Sequence, residues 1–432
     1  MKKTSLVFIF FAAAGIVSAQ QPAPADYRFT LEDCLNYAFG NNYSLQSMQL
    51  AEEAGENAYL QSKKERLPSL SASASENLSH SNGSDASWSG SYGLNANLTL
   101  YQGGNITNTI EQSKLRKEQS SFQTAQYRNN LTIQILQACL TALGNEELLK
   151  YQEAVVKASE EQLKQGKEQF RYGKILESDY LLLEAQYAND KYNILSTQIA
   201  CDNSLLTLKS LLSMPATDHL QILSPDTATV QLMGILPSVD EALERMSQTL
   251  PDLKISRYNI DIAQIGLKMS KANYLPTLSL HGSIGTGHTE YANFGSQLSD
   301  RLNQQIGLSL SIPIYDNSRT ASKVTQSRIA LQQAELDRKQ TELDVRQTVV
   351  NDYQSVVSAY NKYRTTDIRQ NAYSKTFDVY RAQFNAGSIT TVDLLQQQNN
   401  YISALNDYIQ SKYEFILKRK ILDVYMGVQV TM

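Results

Sequence analysis

Phe170-Arg-Tyr-Gly-Lys-Ile-Leu-Glu-Ser-Asp179-Tyr-Leu-Leu-Leu-Glu-Ala-Gln186 interrupts a long helical pattern, and its key residues recur later in the chain. The second copy is Phe384-Asn-Ala-Gly-Ser-Ile-Thr-Thr-Val-Asp393-Leu-Leu-Gln-Gln-Gln398. Phe, Gly and Asp keep one spacing, since 384 − 170, 387 − 173 and 393 − 179 are each 214. Gly173 and Gly387 can end the incoming helix in a left-handed conformation that a Cβ would oppose. A Ser or Thr a few residues later can cap the outgoing helix, with Asp179 or Asp393 in its first turn, where the helix dipole favours negative charge. Each copy reads as the tip of a helical hairpin, and two such tips predict an internally duplicated protein.

Outward from the tips the correspondence continues. Thr30-Leu-Glu-Asp-Cys-Leu35 matches Ser238-Val-Asp-Glu-Ala-Leu243, and Leu67-Pro-Ser-Leu70 matches Leu275-Pro-Thr-Leu278, both at an offset of 208 (238 − 30, 275 − 67). Leu100-Tyr101 and Ile314-Tyr315 return to 214, so the intervening segment absorbs the difference, where loop length costs little. The expected organisation is a signal peptide at 1–19, repeat 1 at 20–213, a Pro/Thr/Asp-rich linker at 214–237 and repeat 2 at 238–432.

The leader has a basic start, an apolar run over 6–17 and a small-residue end at Val17-Ser18-Ala19. No cysteine follows it directly, and no later segment reaches the roughly 18 apolar residues of a transmembrane helix. An exported soluble protein or a membrane β-barrel remains. A net charge of −4 argues against a nucleic-acid partner. Cys34, Cys139 and Cys201 form no CxxC and read as buried small apolar residues. Cys139 and Cys201, on opposite limbs of one hairpin, would differ by roughly 15 Å in height, too far to bridge.

Between the helical stretches the period changes to two. Trp88, Tyr92, Leu94, Ala96, Leu98 and Leu100 alternate with Ser89, Ser91, Asn95, Asn97 and Thr99. Ile306, Leu308, Leu310, Ile312 and Ile314 alternate with Gly307, Ser309 and Ser311. Strands are expected at about 69–79, 88–101, 277–285 and 305–315, with a polar loop over 286–303. An apolar stripe free of charge opposite a polar one suits membrane β-strands; an amphipathic sheet on a soluble core fits the alternation equally. Tyr101, Tyr274 and Tyr315 at one end, and Trp88, Tyr291 and Phe294 at the other, would form the two aromatic girdles of a barrel.

No proline falls between Ser69 and Met214 or between Ile314 and Met432, which permits two helices of nearly seventy residues. Each would span about 100 Å. From Ile106 to Arg128 only Ile106, Ile110, Leu115 and Phe122 are large aliphatic or benzyl groups, so the helix reads as too polar for a globular core. A stave of a hollow helical tube and an extended coiled coil both fit. Four membrane strands per chain cannot close a barrel, and open edges are not tolerated in lipid, so the barrel would be shared among chains.

At this point the chain resembles the outer-membrane efflux and secretion channels typified by TolC. The resemblance rests on the paired Phe-x-x-Gly-x-x-x-x-x-Asp tips, the two Leu-Pro-[Ser/Thr]-Leu joints and the two Tyr-bearing strand exits. It implies a mainly α, internally duplicated fold. Long helical hairpins would form a trimeric α-barrel continuous with a shared 12-stranded β-barrel. It implies a homotrimer in outer-membrane lipid with a long periplasmic extension, fed by a periplasmic adaptor and an inner-membrane pump of the RND, ABC or MFS type. Drugs, metal ions and polypeptides all pass through such channels.

The expected sites follow. Asp393, Gln396 and Asp179 would lie at the periplasmic aperture. Gly173, Lys174, Ser178, Gly387, Ser388 and Thr391 would form the adaptor-docking tips. Trp88, Tyr92, Leu94, Leu98, Leu308 and Leu310 would face lipid. The archetype carries an arginine where this chain has Ile389, and two aspartates a turn apart where it has Asp393 and Gln396, so the lock and the acidic ring would differ. Asp393 reads either as a member of a charged ring or as a capping carboxylate. No cofactor or metal is expected, and no H-E-x-x-H, G-x-S-x-G or P-loop pattern is present, which speaks against an enzyme. His80, His219, His281 and His288 are scattered. The alternative function is a non-channel periplasmic coiled-coil scaffold.

Overall fold

The computed structural model describes residues 26–80, 82, 86–223, 236–289 and 294–428. The leader, Tyr291 and half of the linker (224–235) lie outside them. The first half runs β1 (Asp26–Phe29), α1 (Leu31–Asn41), α2 (Tyr43–Lys64), β2 (Ser69–Ser79), β3 (Ser87–Gln102), α3 (Asn105–Arg171) and α4 (Glu177–Leu211). After β4 (His219–Ile222) come α5 (Val239–Thr249), α6 (Pro251–Ala272), β5 (Thr277–His288), α7 (Phe294–Asp300), β6 (Asn303–Ser311), α8 (Arg319–Asn385) and α9 (Thr391–Tyr425). Helix lengths match across the halves: 11, 22, 67 and 35 residues in each.

The sequence places the helix ends. Thr30 and Asp33 form a capping box on α1, and Ser238 caps α5. α1 runs through Gly40 to Asn41, and Asn42 then caps α2. Pro68 and Pro276 follow α2 and α6, where the residue before proline disfavours helix.

Four strands form one antiparallel sheet in the order β2-β3-β5-β6. The helices attached to their near ends pack in the same order: α2 on α3, α3 on α6, α6 on α8. Beyond, towards the tips, α4 pairs with α3, α9 with α8, and α9 also with α3. The chain is thus a wall four elements wide. β2 and β6 are the sheet's outer strands, each paired on one side only.

The core is a belt halfway along the long helices. α3 buries Leu131, Ile135, Leu136, Cys139, Leu140 and Leu143 there, against Leu31 and Leu35 of α1, Met246 of α5, Val349 and Val356 of α8, and Phe415 and Ile416 of α9. The first buried residue lies about 40 Å along α3. The expectation that this helix is too polar for a core holds only for its first part; its centre is a core element. At the belt's edge Asn42 donates to the Leu211 carbonyl at the end of α4 (2.8 Å), and Thr249 donates to the Tyr425 carbonyl at the end of α9 (3.0 Å). These joints set α2 end to end with α4, and α6 with α9.

The linker carries an element that the sequence pattern hides. β4 pairs in parallel with β1, Asp26 opposite His219 and Phe29 opposite Ile222. Leu220 and Ile222 enter the belt, so this ribbon fastens the start of the chain to the crossing between its halves. Two further boundaries differ. β5 runs to His288, and α7 occupies part of the expected loop. β6 stops at Ser311, because Pro313 has no N–H to extend the ladder.

Candidate functional site: membrane wall and hairpin tips

Register sorts the sheet into two chemical faces. Leu70, Leu94 and Ile284 share a face by the pairings Leu70↔Ala96 and Leu94↔Ile284. Leu98, Leu280 and Leu308 form one row of that face, and Leu278 with Leu310 the next. Ser71, Asn95 and Ser283 line the opposite face, with Asn97, His281 and Gly307 one row on. Trp88, Tyr92, Leu94, Leu98, Leu308 and Leu310 therefore all stand on the apolar side. Leu94, Leu308 and Leu310 are 48%, 65% and 61% exposed, so the described residues leave that side largely uncovered.

Two details modify the simple alternation. A bulge between Thr99 and Tyr101 sets Tyr101 opposite Leu278, which brings its ring to the apolar side despite its odd number. The apolar stripe is not free of charge, because Glu76 stands on it in a row with Gly90 and His288. Its carboxylate accepts from Trp88 Nε1 (2.5 Å) and the Tyr92 hydroxyl, and lies 3.2 Å from His288 Nε2. His288 is buried and meets the Phe294 ring edge-on, with centroids 5.0 Å apart. The charge is therefore held at the far end of the strands by aromatic residues with one polar tip each, the composition of an interfacial girdle.

At the other end of the molecule both tips reverse the chain in the same way. Gly173 (φ 69°) donates to the Phe170 carbonyl at 2.9 Å and Lys174 to that of Gln169 at 2.8 Å. Gly387 (φ 75°) and Ser388 repeat this on Phe384 and Gln383, at 2.9 and 3.0 Å. This is the Schellman arrangement, and it needs glycine for its left-handed backbone. A Cβ on either glycine would meet open space.

The restart differs between the tips. Thr390 caps α9 in a reciprocal box: it accepts from Asp393 N (3.2 Å), and its own N and Oγ1 donate to Asp393 Oδ2 (3.2 and 2.6 Å). Those hydrogen bonds hold the Asp393 carboxyl below its ordinary range. At the first tip the N-cap is Leu176, which has no side-chain acceptor, so neither Ser178 nor Asp179 caps α4. Of the expected docking residues, Thr391 is buried within the hairpin, while Gly173, Lys174, Ser178, Gly387 and Ser388 are exposed. Gln396 is exposed and donates to Asn400.

Packing behind the tips also differs. Phe377, Phe384 and Leu394 form a small core joined by Ile389 and Tyr401. Ile389 thus packs, partly buried, against this apolar core. Phe170 instead stacks on Tyr180 near the surface, and Leu176 is 71% exposed. Further up, Asp190 of α4 is buried and accepts from Gln186 (2.8 Å) and from Gln398 of α9 (3.4 Å). Burial outweighs these hydrogen bonds and raises its carboxyl above the usual range. This polar joint between the two hairpins is hidden in the sequence, where its polar residues read as solvated helix surface.

The profile of the outer membrane efflux protein family matches residues 34–213 and 242–428, most of the chain. This chain belongs to that family. Outer membrane protein TolC of Vibrio cholerae is 23% identical over 420 residues, covering 96% of this chain and 93% of its own. Alkaline protease secretion protein AprF of Pseudomonas aeruginosa is 23% identical over 41% of this chain and 37% of its own length. Among solved structures, the open state of the Neisseria gonorrhoeae MtrE outer membrane channel superposes with a TM-score of 0.75 at 18% identity, covering 92% of this chain and 89% of that one. The Campylobacter jejuni CmeC outer membrane channel gives 0.75 at 15%, over 92% and 85%. As an outer membrane efflux protein the chain is an outer-membrane protein and not an enzyme. Among its described residues no helix is long and apolar enough to cross a membrane.

Proposed function

We propose that three copies of this chain form a channel-tunnel that carries substrates out of the periplasm, or directly from an inner-membrane pump, to the cell exterior. The observation that carries the reading is the four-stranded sheet with one leucine-rich face, one serine/asparagine face and two unpaired edges, each strand joined to a helix of the same wall. In lipid those edges must pair with other copies. Three copies give twelve strands, leucines outward and Ser/Asn lining water. The helices continue the wall as a tube of about 100 Å, built as a duplicated unit from two equivalent hairpins.

The tips, at the tube's far end, are where an adaptor meets the channel, through the exposed backbone around Gly173-Lys174 and Gly387-Ser388. The pore entrance is lined by Asp393 and Gln396. A planar-bilayer recording of the purified protein tests the proposal. Steady single-channel current with a pore-sized conductance is expected; a membrane-bound protein that passes no current would mean a scaffold.

A further inference from the structure

Two thiols lie side by side in the belt core. Cys34 of α1 and Cys139 of α3 are fully buried in one apolar cluster where α1 packs on α3, and each thiol lies within the other's immediate surroundings. Both are free thiols here, as is Cys201, which lies partly exposed on α4. Packing does not demand the first thiol: at the repeat offset of 208 (242 − 34) its counterpart on α5 is Ala242, equally buried. An outer-membrane protein passes through an oxidising compartment, where thiols held in contact do not stay reduced once an oxidant reaches them.

We propose that Cys34 and Cys139 form a disulfide in the exported protein, tying the short helix α1 to the long helix α3. Two S–H bonds break and one S–S bond forms. Two protons leave to solvent, and two electrons reduce the reactive disulfide of a periplasmic dithiol–disulfide oxidase to its two thiols. The attacking species is a thiolate, and burial together with the neighbouring thiol raises the Cys139 thiol far above its ordinary range. Oxidation therefore belongs to folding, before α1 docks and closes the site to the oxidase. The gain falls where the chain is weakest. α1 has 11 residues, too few to hold a helix alone, and it stands next to β1 at the start of the described chain. The bond would close a loop of about one hundred residues and fix the N-terminal end of the belt.

The test counts thiols in the full chain, expressed with its leader and purified from the outer membrane of a host that has a dithiol oxidase. Protein is denatured in N-ethylmaleimide with and without prior reduction, and its mass is measured. One adduct is expected without reductant, on Cys201, and three after reduction. Peptide mapping should recover one linked pair containing residues 34 and 139. Cys34→Ala, which copies the second half of the chain, should show two adducts without reductant; if that variant does not accumulate, the wild-type count decides alone. Three adducts on unreduced wild-type protein, or a linked pair that includes Cys201, overturns the proposal. The count is independent of conductance, so a conducting channel with three free thiols would refute the disulfide and leave the channel standing.

Discussion

Ser318 stands at φ 61° and Asn317 at φ 51°, a left-handed pair at the turn from sheet to α8. Their counterparts at offset 214 (317 − 103, 318 − 104) are Gly103 and Gly104, at φ 57° and 80°. One half meets the backbone demand with glycine, and the other tolerates side chains while Asp316 accepts from Thr320 N at 2.8 Å. Asn and Ser are ordinary turn residues, so nothing in their types reveals this strain. Gly173 and Gly387 were legible because a lone glycine between two helical patterns has few other uses. Ser318→Gly should stabilise the protein by roughly 1 kcal/mol, less the entropy of a freer unfolded chain; an unchanged or lower midpoint in thermal unfolding would deny the strain. Asp393 poses a sharper question, because capping and an acidic ring use the same carboxylate. Its depressed pKa favours folding above the unfolded value, and that contribution is lost as pH falls through the folded one. Repulsion among three copies would push the other way. Thr390→Val removes the cap and keeps the charge, whereas Asp393→Asn removes the charge. If the ring gates the pore, divalent cations added at the tip side should block wild type and Thr390→Val, and Asp393→Asn should be relieved. Equal block in all three would assign Asp393 to capping alone.

At the scale of elements, the strands were legible and the joints between hairpins were not. Alternation over a dozen residues fixes which side chains share a face, and a one-residue slip would invert every one of them. Leu94→Arg should therefore cost about 2–4 kcal/mol if that row lies near the bilayer midplane, and Asn95→Arg much less, measured as urea midpoints in lipid vesicles. Similar losses at both positions would mean that the faces are misassigned. The β1–β4 ribbon escaped notice because its two four-residue strands pair across most of the first half, and four residues carry too little pattern. Glu76 escaped because its row is visible only once β2, β3 and β5 are in register. The buried Asp190 joint between α4 and α9 yields a pH prediction. Burial raises its folded pKa, so the native state binds the proton more tightly than the unfolded chain does. Stability is thus highest below the unfolded carboxylate value and declines as pH rises through the folded one. Asp190→Asn removes that decline and still accepts from Gln186. Its thermal midpoint should gain on wild type between acidic and neutral pH; parallel pH profiles would show that the carboxylate titrates in the folded protein as it does in the unfolded chain.

The whole molecule divides into a part that is complete in one chain and a part that is not. The belt has its own core, in which Phe415, Leu136 and Ile135 are almost wholly buried, and Leu136→Ala should cost about 2–5 kcal/mol. The sheet has none. Leu70 and Ile306 on its apolar face are 74% and 80% exposed, and its outer strands β2 and β6 each lack a partner on one side. In the proposed trimer this sheet would be held by lipid and by neighbouring copies, since the described residues of its own chain supply neither cover nor closure. Assembly and membrane insertion should then be coupled, and the belt should survive without either. Native mass spectrometry in mild detergent should give a trimer. After dissociation to monomers, hydrogen exchange should stay slow at the buried α3 positions from Leu131 to Leu143 and become fast throughout β2, β3, β5 and β6. Trimer and sheet protection should be lost together in a denaturant series, ahead of the belt. A monomer whose strands remain protected would mean that the leucine face finds cover within one chain. In that case neither the shared barrel nor the tube above it would be needed.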